Sequence, residues 1–109
     1  MADLKRKAWK TFSKWIRERD QRCVTCGRSD NLHAGHFWHN VLDFDEENIN
    51  AQCIGCNTFK NGNLAVYSTY LLRKLGQKKF EELDIRHTMA LKGEKRTDED
   101  YQKIIDKYK

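Results

Sequence analysis

Two cysteine pairs with the same spacing carry the clearest chemistry in this chain of 109 residues. Cys23 and Cys26 form the first Cys-x-x-Cys pair, and Cys53 and Cys56 form the second. Thiolates at this spacing suit tetrahedral zinc, and two such turns supply all four ligands. The pattern therefore predicts a structural zinc site. Redox chemistry is disfavoured, because no βαβ pattern surrounds either pair.

Three histidines, His33, His36 and His39, fall within seven positions between the cysteine pairs. Neutral imidazole is the natural general base near neutral pH. Histidines enclosed by a zinc site therefore predict that the metal supports a reactive centre. The structural alternative is that they are packing or surface residues of a strand, as most strand histidines are. A role as additional zinc ligands is disfavoured, because four cysteines complete a tetrahedral shell.

The element that precedes the first pair is a basic helix. Apolar residues over positions 4–19 recur at helical spacing, which predicts an amphipathic helix whose aromatic residues lie in the core. The net charge of the chain is +5, and residues 1–22 hold eight basic and three acidic residues, which accounts for all of it. This asymmetry indicates a polyanionic partner, although a solvated helix face explains it equally well. The predicted nucleic-acid contacts are Lys5, Arg6, Lys10, Arg17 and Lys60.

A β-hairpin is predicted between the cysteine pairs. Residues 31–38 have the composition of a strand, residues 41–44 that of a second one, and residues 38–40 that of a turn. A helix is predicted from Cys56 and is interrupted at residues 61–63. The expected fold class is thus α+β, a small zinc-stabilised domain with flanking helices.

The C-terminal third reads as helical. One helix continues to Leu75 with Gly76 as its C-cap, and a short one covers residues 77–86. Residues 92–97 are typical of a linker, and Thr97 is the predicted N-cap of a last amphipathic helix. Its apolar stripe either forms a homodimer contact or packs on the chain's own core.

These boundaries divide one domain into three parts. We expect a basic helix over residues 1–22, a zinc-bound core over 23–75 and a helical extension over 76–109. No apolar run is long enough to span a membrane, and the N-terminus lacks the apolar segment of a secretory signal. A cytoplasmic location follows as an expectation, and reduced thiols there favour metal binding over disulfides.

The order of three polar residues resembles the HNH, or His-Me finger, nucleases. In that family a histidine lies on the first strand, an asparagine in the loop, and a histidine or asparagine on the helix. His36, Asn48 and Asn57 match this order, and Asn57 directly follows the second cysteine pair. The resemblance implies a treble-clef or ββα-metal fold around the zinc.

A longer match resembles the NinG, or Rap, family of phage lambda. It rests on His-Ala-Gly-His-Phe from His33, Asn-Ile-Asn-Ala-Gln-Cys from Asn48, and Asn-Gly-Asn from Asn61, and it covers about residues 23–86. The resemblance implies a phage protein of the bacterial cytoplasm that takes part in recombination. It also implies nicking of DNA, or cleavage of branched or single-strand-containing DNA.

The family chemistry assigns a role to each matching residue. His36 would take the proton from water, and Asn48 would fix its imidazole through the side-chain amide or the backbone carbonyl. Asn57 would bind a catalytic divalent cation, magnesium or manganese, through oxygen. The structural alternatives are a turn residue for Asn48 and a helix cap for Asn57.

Gly35 departs from the family pattern, because most HNH nucleases have an acidic metal ligand directly before the histidine. His33 shares a strand face with Gly35 and is the expected replacement. His39, Asp43 and Asp45 are weaker candidates. Loss of the ligand would instead favour a competing function, that of a non-catalytic zinc-dependent treble-clef module that binds DNA.

Overall fold

The computed structural model describes residues 2–90 and 95–109, and part of the predicted 92–97 linker lies outside them. The fold is a small α+β arrangement of three helices and one two-stranded antiparallel sheet, which confirms the predicted class. Its elements in chain order are α1 (Ala2–Asp20), β1 (Leu32–His36), β2 (Ile49–Cys53), a short π-helical turn (Gly55–Phe59), α2 (Leu64–Ala90) and α3 (Asp98–Tyr108).

The apolar face of α1 packs against one face of the sheet. Phe12 and Ile16 are fully buried there against Ile49 and Ala51 of β2. Tyr108 of α3 closes the cluster, with its ring 4.8 Å from that of Phe12 in an edge-on arrangement. Each buried side chain of this size contributes roughly 1.5–3 kcal/mol, so this cluster fixes α1 and α3 on the sheet. The apolar stripe of α3 therefore packs on the chain's own core.

The hairpin differs from its prediction in the second strand. β1 agrees with the predicted first strand, but β2 is Ile49–Cys53, and its register pairs His36 with Ile49. The strand predicted over residues 41–44 is wrong, because that segment belongs to the loop of residues 37–48. Asn40 and Leu42 there have φ angles of 66° and 54°, which strand residues do not adopt.

Asn48 holds this loop closed. Its side chain is fully buried, and its Oδ1 accepts a 2.8 Å hydrogen bond from the backbone N–H of Trp38. Its Nδ2 donates to the carbonyls of Trp38, Val41 and Leu42 at 3.1–3.3 Å. One amide thereby satisfies backbone groups that a strand would have paired, so the loop can be buried.

A second apolar cluster lies under the loop. Val41 and Leu42 are buried there with Tyr67, Leu71 and Leu83 of α2. Their apolar character, which predicted a strand, comes from loop residues that pack on a helix. This cluster attaches both halves of α2 to the hairpin.

The helix boundaries largely follow the sequence. Helical structure stops after the π-helical turn and resumes at Leu64, where α2 begins, as the Asn-Gly-Asn sequence predicted. Gly76 interrupts α2 with φ 82° and ψ 166°, so it ends the first half as expected. Thr97 caps α3 through a reciprocal capping box with Asp100.

Arg19 uses its guanidinium for hydrogen bonds within the protein rather than for ligand binding. Its guanidinium donates to Asp20, to the carbonyls of Glu46 and Ile49, and to Asn50 Oδ1, all within 3.0 Å. These contacts fix the end of α1 to β2. One of the basic residues of the N-terminal segment is therefore structural.

Tyr67→Phe should destabilise the fold by about 1–2 kcal/mol, because the buried hydroxyl donates to the carbonyl of Gly35 at 2.7 Å and accepts from Asn50 at 3.1 Å. Urea unfolding of the zinc-loaded protein, followed by circular dichroism, measures the loss. Tyr70→Phe is the control, because its hydroxyl makes no hydrogen bond with the described residues, and it should change stability by less than about 0.5 kcal/mol. Equal effects of the two substitutions would contradict this account.

Candidate functional site

The four cysteines converge as their spacing predicted. Their sulfur atoms all lie within 4.8 Å of one another, and Cys26 and Cys53 are 3.6 Å apart. None forms a disulfide, and three of the four are buried. The backbone N–H of Cys56 points at the sulfur of Cys53 at 3.5 Å, as in a metal-binding turn. The cluster is consistent with a structural zinc site.

Electrostatics in the cluster favour a bound cation. Burial opposes ionisation of Cys23, but hydrogen bonds with Thr25 and the Cys53 backbone lower its pKa to about 6. A backbone hydrogen bond from Arg28 acts to lower the pKa of Cys26, yet burial and the neighbouring sulfurs raise it to about 12. One thiolate forms easily, and its negative charge opposes ionisation of the next thiol. Ionisation of all four cysteines therefore requires the positive charge of a metal ion.

His36 lies in a cleft of about 440 Å³ between α1 and the loop. Its imidazole stacks on Trp9 of α1, with ring centroids 5.4 Å apart, and its centroid lies 6.4 Å from that of the His39 ring. Its Nε2 lies 2.9 Å from Asp43 Oδ1. A carboxylate and a stacked ring thus hold one orientation of the imidazole, and Nδ1 makes no hydrogen bond with the described residues.

Asp43, which the sequence offered only as a weaker candidate for a metal ligand, is the hydrogen-bond partner that orients His36. The hydrogen bond from His36 lowers the pKa of the Asp43 carboxyl below its usual value despite partial burial. The carboxylate therefore stays ionised at neutral pH and accepts a hydrogen bond from the Nε2–H group of His36. Asp45, the other acid considered, is bonded instead to Arg86 at 2.8 Å.

The hydrogen bonds of Asn48 with the described residues include those to the loop backbone, and none goes to the imidazole of His36. Its amide is used by the loop backbone, and its carbonyl accepts from the N–H of Phe37 at 2.9 Å. Asn48 thus positions the residues on either side of the loop, and His36 is held through Phe37 and Asp43. Sequence order alone could not distinguish a direct contact from this indirect one.

A second cleft of about 510 Å³ contains the other two predicted site residues, His33 and Asn57. Trp9 lines both clefts, so they are neighbours along α1. His33 is exposed and Asn57 is half-buried. The structure therefore places both near His36, on the other side of Trp9.

Gly35 lies at the centre of this region. A Cβ atom at this position would overlap Gln52 Oε1 and lie 3.0 Å from Asn57 Oδ1. Gln52 is fully buried, and its Oε1 has no hydrogen-bond partner. The only sequence signal for Gln52 was its position directly before the second cysteine pair.

The predicted DNA contacts separate into different surfaces. Lys5 lines the cleft of His36, and Arg17 lines that of His33 and Asn57. Lys10 lies in another cavity of about 450 Å³ that also contains three further lysines, Lys7, Lys14 and Lys109. Arg6 and Lys60 are exposed and line neither of the two histidine clefts.

The profile of the family described as Bacteriophage Lambda NinG protein matches residues 1–109. This chain belongs to the NinG family. Protein ninG of Escherichia phage 933W is 37% identical over 75% of this chain and 45% of its own length. Protein ninG of Escherichia phage lambda and that of Salmonella phage P22 are each 36% identical, over 75% of this chain and 44% of their own lengths.

This member of the NinG family spans less than half the length of the curated relatives it matches. No solved structure shows a significant match to it. Among residues 2–90 and 95–109, no helix has the length and apolarity to cross a membrane.

Zinc removal tests the cysteine cluster. The purified chain should hold one zinc per molecule, and a strong chelator should unfold it, because little else fixes the hairpin base in so small a core. Metal analysis and thermal unfolding with and without chelator measure this. Added zinc should restore the transition, whereas added magnesium, which disfavours thiolates, should not. A chelator-resistant melting temperature would contradict it.

Proposed function

We propose that this chain is a metal-dependent DNA endonuclease of the HNH type. The observation that carries the proposal is the imidazole of His36, which is held by Asp43 and Trp9 in an open cleft and whose Nδ1 makes no hydrogen bond with the described residues. The hairpin, the π-helical turn and the cysteine cluster support assignment to the treble-clef, ββα-metal arrangement. Family membership supports a role in phage recombination.

His36 acts as the general base in this mechanism. The carboxylate of Asp43 accepts a hydrogen bond from Nε2–H, which keeps the proton on Nε2 and leaves the Nδ1 lone pair available to a water molecule. His36 removes a proton as the water oxygen bonds to phosphorus. The bond from phosphorus to the 3′ oxygen breaks, and that oxygen leaves with the electron pair and is protonated by solvent.

Asn57 and His33 are suited to hold a catalytic divalent cation. They share one cleft, and the side chain of Asn57 makes no hydrogen bond with the described residues, so its oxygen is available. Amide oxygen and imidazole are donors that magnesium or manganese accepts. When bound, the cation stabilises charge on the phosphate and on the leaving oxygen.

The basic face of α1 binds the DNA backbone. Lys5, Trp9, Ser13 and Arg17 recur at every fourth position, so they form one face beside both clefts. Lys7, Lys10 and Lys14 of the same helix form a second basic surface together with Lys109. Two basic surfaces suit the two arms of branched DNA, which supports a branched or single-strand-containing substrate and nicking activity.

His36→Gln should reduce nicking of supercoiled plasmid at least about 100-fold with magnesium or manganese, because the general base is lost. Gel analysis of relaxed product measures the rate. Asp43→Asn should reduce it less, because the imidazole stays while its charged partner is lost.

His87→Gln is the matched control, because this histidine stacks on Trp38 at 3.8 Å and lines neither cleft. It should nick at the wild-type rate. If wild type and His36→Gln give equal products, the enzyme proposal fails. DNA binding without cleavage by the wild type would instead favour a zinc-dependent DNA-binding module, which the glycine at position 35 makes the second candidate.

Combined Lys5→Ala and Arg17→Ala should weaken binding to a DNA duplex and make the slope of log affinity against log salt shallower by nearly 2. Fluorescence anisotropy over a salt series measures both. Lys78→Ala with Lys79→Ala removes the same charge from an exposed part of α2 and should leave the slope almost unchanged. The same loss in both double variants would show that only net charge matters.

A further inference from the structure

The chain leaves no room for a side chain at position 35. A Cβ atom there would overlap Oε1 of Gln52, a residue of the paired strand β2. Gly35 has no positive φ that would demand glycine. The glycine is therefore required by close approach, and the atom that approaches is an amide oxygen.

The orientation of the Gln52 amide is fixed by its nitrogen. Nε2 donates to the carbonyl of Gly62 at 2.7 Å and to Thr25 Oγ1 at 3.2 Å. A carbonyl oxygen only accepts hydrogen bonds, so exchanging the amide oxygen and nitrogen would place two acceptors against each other. Oε1 must therefore face Gly35.

The oxygen so oriented has no partner. Gln52 is completely buried, and its Oε1 accepts no hydrogen bond. An unpaired buried polar group costs about 1–3 kcal/mol, so such atoms usually meet a water or an ion. Asn57 Oδ1 lies within 3.0 Å of the same point above Gly35. Two carbonyl-type oxygens thus lie close to one point, and Gln52 Oε1 accepts no hydrogen bond from the described residues.

We propose that Gln52 Oε1 and Asn57 Oδ1 together bind the divalent cation, and that Gln52 replaces the acidic ligand missing at position 35. This inference rests on the proposed endonuclease function and names the ligand set of that site. Oxygen donors select magnesium or manganese over zinc.

His33 is placed to complete the set. It pairs with Gln52 across the sheet, and directly opposed residues project from the same face. Apart from the four cysteines, the described residues contain no cluster of three or more ionisable metal ligands. Gln52, Asn57 and His33 ligate a metal as neutral groups, so the cation would keep its full charge for the phosphodiester.

Manganese titration of the zinc-loaded chain, followed by electron paramagnetic resonance, tests the site without requiring activity. Gln52→Met removes the oxygen at similar volume and should weaken manganese binding about 10-fold or more. Asn57→Leu should do the same. Gln77→Met is the matched control, because it makes the same substitution at an exposed glutamine of α2 that lines neither histidine cleft.

A compensating pair of changes separates ligation from folding. Gly35→Asp alone should destabilise the protein, because its side chain meets Gln52. Gly35→Asp combined with Gln52→Ala creates space and supplies a carboxylate, so manganese binding should recover to at least the wild-type affinity. Thermal unfolding of each variant identifies those that fail to fold.

Three results would overturn the inference: no manganese binding by the wild type, equal affinity in Gln52→Met, or a double variant that folds but does not bind. Equal affinity with lowered stability would mean that Gln52 serves only the fold, through the hydrogen bonds that its Nε2 donates. If nicking depends on His36 but manganese affinity is unchanged in Gln52→Met, the endonuclease proposal stands and the proposed ligand set fails. If Gln52 and Asn57 bind manganese without any nicking, the ligand set stands and the endonuclease fails.

Discussion

The convergence of four cysteines is the constraint on which the other elements depend. A two-stranded sheet is marginal in water, and this one has only five residues in each strand. The cysteine turns hold its open end: Val24 donates to Ala51 at 2.9 Å, and Ile54 donates to Asn31 at 3.1 Å. A metal bound there substitutes for core that a short chain does not have. The hairpin then becomes a rigid support for chemistry.

The closed end of the hairpin is held by a polar network instead. Asn48 pairs the loop backbone, and Tyr67 reaches from α2 to the carbonyl of Gly35. Both residues are fully buried, so each hydrogen bond acts in a medium of low polarity and has few alternatives. The result is that Gly35 and His36 are fixed from two sides, the zinc end and the loop end. Precise placement of the proposed base and of the proposed metal ligands requires this kind of support.

Helix α1 serves the core and the site at once. Phe12 and Ile16 anchor it on the sheet, and Arg19 ties its end to β2. Trp9, at the border of the core, separates the His36 cleft from that of Asn57 and stacks on the imidazole. The same helix therefore sets the geometry of the proposed base and presents the basic residues that would bind DNA.

Local patterns in the sequence determined the cysteine cluster, the first strand, the breaks near Gly62 and Gly76 and the capped last helix, because spacing and backbone preference act over a few residues. The second strand was misplaced, since Val41 and Leu42 are apolar for packing under a loop, which only α2 reveals. Asp43 beside His36 and Gln52 against Gly35 were decided by tertiary structure alone. Both are contacts between segments whose register and loop path the sequence does not encode locally, so no spacing rule could have predicted them.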